Sequence, residues 1–353
     1  MATTADNPTP PAAIEPRPDV ANTDTDAPTV SVLVVGYRSK QDVRDCFAGL
    51  LEHTVGTSME VLFLDCSNDG SVEMVREAFA GVRCIDNREN LGFGRGNNTL
   101  ARHARGRYLL LLNPDTLVRD DAVGRLVAFA EAHPDGGVWG GTPVLPDGRV
   151  DPGCLQGEPG LAAGLKHLFG QAGKDTTGLE REDGAWREVG APSGAFMLVR
   201  RDLWEQLGGF DESFFMYCEE TDLCLRARRM GYRVYLTPSA RIVHRVGGGS
   251  AKSPQRMIAL TRGGVHLTRK HFGPSYARLD IALRWVHSLS RFLGGAILVP
   301  LLGRARSRTL RQRHWPIVAN PGAWVHGWVT RPEPAKPADA SGRMSGPASG
   351  GKP

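Results

Sequence analysis

The segment Arg107-Tyr-Leu-Leu-Leu-Leu-Asn113 restricts the fold more than any other. Its apolar run is short, continuous and free of alternation, which is the pattern of a strand buried on both faces of a parallel sheet. Pro114 follows at once. Proline has no N–H for the ladder and biases its predecessor away from helix, so the strand must end at Asn113. Such a strand needs helices on both sides, and the preceding sequence supplies them. VSVLVVGY, QDVRDCFAGLLEHT, MEVLFLD, SVEMVREAFA and VRCIDN read in turn as strand, helix, strand, helix and strand. In open α/β sheets ligands sit beyond the carboxyl ends of the strands, which marks Asp65 and Asp115 as candidate ligand contacts.

Further along, a second strand pair is expected around GGVWGG, and residues 143–190, rich in Gly and Pro, read as loops with at most one short helix. SGAFMLVRR reads as a strand, DLWEQLG and EETDLCLRARRMG as helices with Gly231 stopping the second, and YRVYLTP and ARIVH as short strands. The body is expected to close near Ser250. Residues 1–28 hold six prolines and five acids without the apolar core of a secretory leader, and residues 331–353 are rich in Pro, Gly, Ser and Ala. Both are expected to be disordered tails. Six irregularly spaced cysteines with no Cys-x-x-Cys pair argue against a disulfide scaffold and read as reduced thiols in a cytosolic compartment.

Charge divides the chain unevenly. Thirteen Lys or Arg against the single acid Asp280 give residues 251–315 a charge of +12, and since the total is +5 the remainder carries −7. A basic module of residues 251–330 is thus expected to follow a main domain of residues 29–250.

Three local constellations carry chemistry. Asn90-Leu-Gly-Phe-Gly-Arg-Gly-Asn-Asn98 has glycines spaced G-x-G-x-G after the third strand, unlike the G-x-G-x-x-G of a dinucleotide fingerprint, and reads either as a nucleotide contact or as a tight turn into a helix. Asn113-Pro-Asp115 at a buried strand end is either a carboxylate site for Mg2+ or Mn2+ bridging two phosphates, or a simple Asx or Pro turn. Phe210-Asp-Glu-Ser-Phe-Phe-Met-Tyr-Cys-Glu-Glu-Thr-Asp222 crowds aromatics and acids beside a helix start. Acids there favour the helix dipole, but the aromatic turn suits the wall of a pocket around a catalytic carboxylate.

Taken in order, these elements resemble the family 2 glycosyltransferases of the GT-A fold, and within them the bacterial rhamnosyltransferase-like branch. The resemblance runs from about Val30 to Ser250. It rests on SVLVVGY, Asp65-Cys-Ser-Asn-Asp-Gly-Ser71, Asn90–Asn98, Leu110-Leu-Leu-Asn-Pro-Asp-Thr116 and the block from Ser193 to His244. It implies a Rossmann-like α/β mixed sheet flanked by helices, followed by the basic helical extension. It implies that Asp65 meets the nucleobase, that Asn90, Gly92, Arg95 and Asn113 belong to the nucleotide-sugar site, and that Asp115 and His244 hold Mg2+ or Mn2+. Glu220 stands where the family usually has the aspartate of a Glu-Asp pair, the general base, and Asp222 is left a capping or structural role. The loop after Asp65 is one residue shorter than the family pattern, which leaves Ser67 and Asp69 without assigned roles.

The activity so implied is metal-dependent, inverting transfer of a sugar, with dTDP-L-rhamnose as donor and a saccharide, lipid-linked in the expected case, as acceptor in cell-envelope polysaccharide synthesis. Galactofuranosyl or other hexosyl transfer from a UDP- or GDP-sugar is the alternative. A catalytically inactive nucleotide-sugar-binding protein and a Rossmann oxidoreductase stand further off. In the basic module the longest uncharged run, Phe292–Gly303, has twelve residues where a span needs about twenty. Arginines at 304, 306, 308, 311 and 313 beside Trp285 and Phe292 read as an interfacial helix with a polybasic patch, or as a core-packing helix with a solvated tail. No zinc finger, RNA-recognition signature or aromatic ladder accompanies the charge, so an anionic membrane surface at the inner face of the plasma membrane is expected, and nucleic acid is not.

Overall fold

The computed structural model describes residues 27–156, 176–245, 253–297 and 299–328; the two tails, residues 157–175 and the expected end of the body near Ser250 lie outside the described residues. The first half runs β1 (Val30–Gly36), α1 (Lys40–His53), β2 (Met59–Asp65), α2 (Ser71–Ala78), β3 (Val82–Cys84), α3 (Gly92–Ala101), β4 (Tyr108–Leu112), β5 (Thr116–Leu117), α4 (Ala122–Ala132) and β6 (Gly136–Val144). Then come β7 (Leu155–Gln156), β8 (Arg187–Glu188), β9 (Ala191–Pro192), β10 (Phe196–Arg200), α5 (Arg201–Leu207), α6 (Glu219–Arg229) and β11 (Arg233–His244). The C-terminal helices are α7 (Pro254–Phe272), α8 (Pro274–Ile297), the short α9 (Val299–Leu302) and α10 (Arg304–Ala319).

The main sheet has the order β3-β2-β1-β4-β10-β6-β11-β5, with β8 also on β11. Strands β1 to β4 pair in parallel, whereas β10 runs antiparallel to both β4 and β6, which makes the sheet mixed. Alternate residues of one strand feed opposite cores, as burial on both faces requires. Tyr108, Leu110 and Leu112 pack with Val32, Phe47 and Phe63 on one side, and Leu109 and Leu111 pack with Leu33, Leu62 and Leu223 on the other. The four-leucine run is therefore the hinge line between the two cores.

Two readings of the sequence change. GGVWGG belongs to one nine-residue strand, β6, buried along its whole length between β10 and β11, and is not a strand pair. YRVYLTP and ARIVH are parts of the single strand β11, whose register on β6 slips between Leu236 and Arg241. A β-bulge reads in sequence as a strand break, because Pro238 and its polar neighbours interrupt the apolar alternation.

The basic segment folds onto the body. Helix α10 runs back along α8, with the Trp285 indole N–H donating to the Val318 carbonyl at 3.4 Å and the Phe292 and Trp315 rings 5.0 Å apart. Trp324 is fully buried, its N–H on the Ile317 carbonyl at 3.0 Å, and Trp328 packs with Phe214 and Leu267. Among the described residues no helix is long and apolar enough to cross a membrane.

Candidate active site

The parallel register sets Gly36 at the end of β1 beside Asp65 at the end of β2. Asp65 is only 4% exposed. Its Oδ1 accepts the Ser67 hydroxyl at 2.9 Å, and its Oδ2 accepts the Asn68 N–H. Asn87 donates to the Asp65 carbonyl at 2.9 Å, which ties the loop after β3 to this strand end. The shortened loop now has an account: Ser67 braces Asp65, and Asp69 accepts from the Ser71 N–H at 3.0 Å and from the Lys40 N–H at 3.2 Å, joining the starts of α1 and α2. Arg38, just past β1, donates its N–H to the Ser67 hydroxyl oxygen at 2.7 Å and ties the end of β1 to this turn.

A second group forms where β4 ends. Asn113 donates its N–H to the Ala195 carbonyl at 3.1 Å and accepts the Thr116 hydroxyl at 2.7 Å, so Asn113–Asp115 form a braced turn. Antiparallel pairing of Thr116 with His244 then delivers the histidine to the carboxylate. His244 Nε2 lies 3.3 Å from Asp115 Oδ1, and its Nδ1 lies 3.1 Å from Asp151 Oδ2. Burial alone would lower the imidazole's pKa, but the bonds to Asp115 and Asp151 outweigh it and push it up to about 9. The sequence gives no hint of Asp151, since only the return of the loop after β6 brings it here.

A carboxylate oxygen and an imidazole nitrogen meet here in a largely buried niche, with a second carboxylate on the far ring nitrogen, and they form a donor set that suits Mg2+ or Mn2+ when the ion displaces the proton on His244 Nε2. These ions need few protein ligands and complete their shell with water or phosphate oxygens. Among the described residues no three acidic, His or Cys side chains form a ready-made cage.

The third group is the turn before α6. Tyr217 and Cys218 both adopt left-handed backbone, at φ 71° and 74°, and so aim Glu219 and Glu220 from the first turn of the helix. Glu219 is buried, and burial together with the charge of Glu220 raises its carboxyl well above the ordinary range. Glu220 is partly buried, and its Oε1 accepts the Gly194 N–H at 3.4 Å. Burial raises the pKa of the Tyr217 hydroxyl, Arg256 opposes the rise, and the charges of Glu219, Glu220 and Asp115 add to it. Asp222 is itself fully buried and pairs with Arg226, His271 and the partly exposed Lys270, a structural role that is tertiary and not a helix cap.

Helix α3 supports this turn. Gly92 has φ 70°, and a side chain there would collide with the Phe215 carbonyl. A Cβ on Gly96 would meet Val35 at 2.8 Å, so the G-x-G-x-G spacing serves close packing. Asn90 Oδ1 accepts the Gly92 N–H at 3.1 Å, and Arg95 pairs with Glu212 at 3.5 Å. Asn98, quoted in the motif but given no role by sequence, holds the Phe210 N–H and carbonyl, each at 2.9 Å. The fold thus brings Asp65, Asn113, Asp115, His244 and Glu220 to the carboxyl-terminal end of the parallel strands, while Gly92 and Arg95 contact the aromatic turn.

The family model described as Glycosyl transferase family 2 matches residues 31–207. The N-acetylglucosaminyl-diphospho-decaprenol L-rhamnosyltransferase of Mycobacterium tuberculosis is 30% identical over 265 residues, covering 69% of this chain and 85% of that protein. Among solved structures, the mannosyltransferase PcManGT of Pyrobaculum calidifontis, in complex with GDP-Man and Mn2+, superposes with a TM-score of 0.58 at 18% identity, covering 85% of this chain and 88% of that one. GalNAc-T7 with UDP, GalNAc and Mn2+ gives 0.52 at 14% identity, covering 87% and 59%. These two likenesses concern the fold, a mixed α/β sheet of the GT-A type with flanking helices.

Proposed function

The chain belongs to glycosyltransferase family 2, and on that premise we propose that it transfers L-rhamnose from dTDP-L-rhamnose to a lipid-linked saccharide, with inversion at the anomeric carbon, in cell-envelope polysaccharide synthesis. The observation that carries this reading is the pairing of β5 with β11, which sets His244 against Asp115 at the sheet edge. The M. tuberculosis relative, aligned along most of both chains, supports the sugar and the acceptor class.

In this reading the nucleobase lies against Asp65, and Asn113 contacts the nucleotide. Asp115 and His244 would hold Mg2+ or Mn2+, with Asp151 bonded to the other ring nitrogen and fixing the imidazole from behind. When bound there, such an ion would supply Lewis-acid neutralisation of the departing diphosphate. Glu220 takes the proton of the acceptor hydroxyl, a contribution of about 10² to 10⁴ in rate. Attack from the face opposite the leaving group inverts the configuration.

The basic module is read as a peripheral contact with anionic lipid at the face where such acceptors reside. A thermal-shift screen of nucleotide sugars with Mn2+ tests the donor: at a hundred times its Kd a ligand adds about 2.7 kcal/mol of stability. A shift with dTDP-L-rhamnose alone supports rhamnosyl transfer, and a shift confined to UDP- or GDP-sugars selects another hexosyl transfer.

A further inference from the structure

We propose that helix α7, which lies beyond the matched family span, grips the start of α6 on both sides of Glu220, and that Gly263, Lys270 and His271 are positioning residues for the transfer step; this rests on the reading of Glu220 as the base. The upstream grip is on the left-handed turn. Two successive non-glycine residues at φ above +70° cost of order 1 kcal/mol each and persist only where neighbours hold them. Helix α7 is that neighbour. A Cβ at Gly263 would lie 2.5 Å from the Tyr217 carbonyl oxygen and 3.4 Å from Cys218 Sγ, so the helix backbone rests directly on the turn. The Arg256 guanidinium, two turns earlier, stands 5.9 Å from the centre of the Tyr217 ring.

The downstream grip is on Asp222, two residues past Glu220 and fully buried. Arg226 of its own helix reaches one carboxylate oxygen at 2.8 Å, while Lys270 and His271 of α7 reach the other at 2.6 and 2.7 Å. Lys270 also binds Asp211 at 2.6 Å, near the opening of the aromatic turn. A buried carboxylate with one partner removed is costly, so this end of α6 cannot shift without breaking charged contacts. Gly263 and Lys270 are about two helical turns apart, and the Glu219–Glu220 pair lies between the positions they hold. The geometry makes α7 a splint across the base, and a displacement of about 1 Å at such a group costs about a hundredfold in rate.

The test uses the full chain, with kcat and donor KM measured for Lys270→Met, Gly263→Ala, Glu220→Gln and the two pairwise combinations with Glu220→Gln. Lys270→Met and Gly263→Ala should each lower kcat by about 10- to 100-fold, leave donor KM within about twofold, and add less than about threefold in the Glu220→Gln background, because they act through that carboxylate. Lys270→Arg should recover most of the loss. If Gly263→Ala does not fold, Lys270→Met decides alone. Losses that multiply with that of Glu220→Gln, or an unchanged kcat in Lys270→Met while Glu220→Gln is impaired, would overturn the splint. An unimpaired Glu220→Gln would overturn the base assignment itself, and the splint with it.

Discussion

In the proposed reading Asp115 is the residue on which donor binding turns, because it stands at a buried strand end with His244 on one side and a braced turn on the other. Asp115→Ala should abolish transfer and donor affinity together, and EDTA should reproduce the loss in the unaltered chain; activity that survives either treatment would remove the metal from the account. Glu220→Gln keeps the side-chain shape but cannot accept a proton. It should lower kcat by about 10² to 10⁴ while leaving donor Kd, measured by calorimetry, nearly unchanged. The placement of Asp65, Asp115 and Glu220 at the ends of elements was legible in sequence because each belongs to a short motif there. Asp151 and Lys270 were not, since their partners lie 93 and 48 residues away along the chain and only tertiary folding joins them. The glycines at 92 and 96 were ambiguous for a related reason: a glycine needed for close packing looks the same as one needed for a phosphate.

The docking of α7 on α6 predicts an acid-sensitive step. Burial would raise the Asp211 carboxyl, but Lys270 and the Ser213 hydrogen bonds outweigh it and lower it to about 2; the Asp222 carboxyl is likewise held down, against burial, by His271, Arg226 and Lys270. Carboxyls depressed below the unfolded value of about 3.9 stabilise the fold fully above that pH and lose the contribution as pH falls toward about 2. Tryptophan fluorescence, reporting Trp328 beside Phe214, should therefore change between about pH 4 and pH 2, and Asp211→Asn should shrink that change. A transition confined to pH above 5 would show that other groups control this contact. Most elements were legible because the apolar periods differ cleanly between strands and helices. The exceptions, β5, β6, the bulged β11 and the two-residue strands β7 and β8 within the stretch read as loops, owe their form to pairing partners and not to local pattern.

Across the whole molecule, charge and apolar exposure collect on the C-terminal helices. Phe272, Leu279, Val286 and Leu293 are exposed at seven-residue intervals, with Ile297 one turn on, and the arginines at 304, 306, 308, 311 and 313 are exposed on α10. Each basic residue near an anionic leaflet contributes about 1 kcal/mol, so replacing those five arginines by serine should release the chain from anionic vesicles in co-sedimentation, and salt should weaken binding of the unaltered chain. Equal sedimentation with neutral and anionic vesicles would contradict this. The charge was legible in composition, whereas the packing of α10 along α8 and the burial of Trp324 and Trp328 depend on contacts that no local pattern announces. The central claim is single-displacement transfer assisted by Glu220, and the configuration of the first-formed product tests it most directly. With dTDP-L-rhamnose, Mn2+ and a lipid-linked saccharide, proton NMR should show a new glycosidic bond of inverted anomeric configuration that Glu220→Gln scarcely forms; a product that retains the donor's configuration would contradict the account.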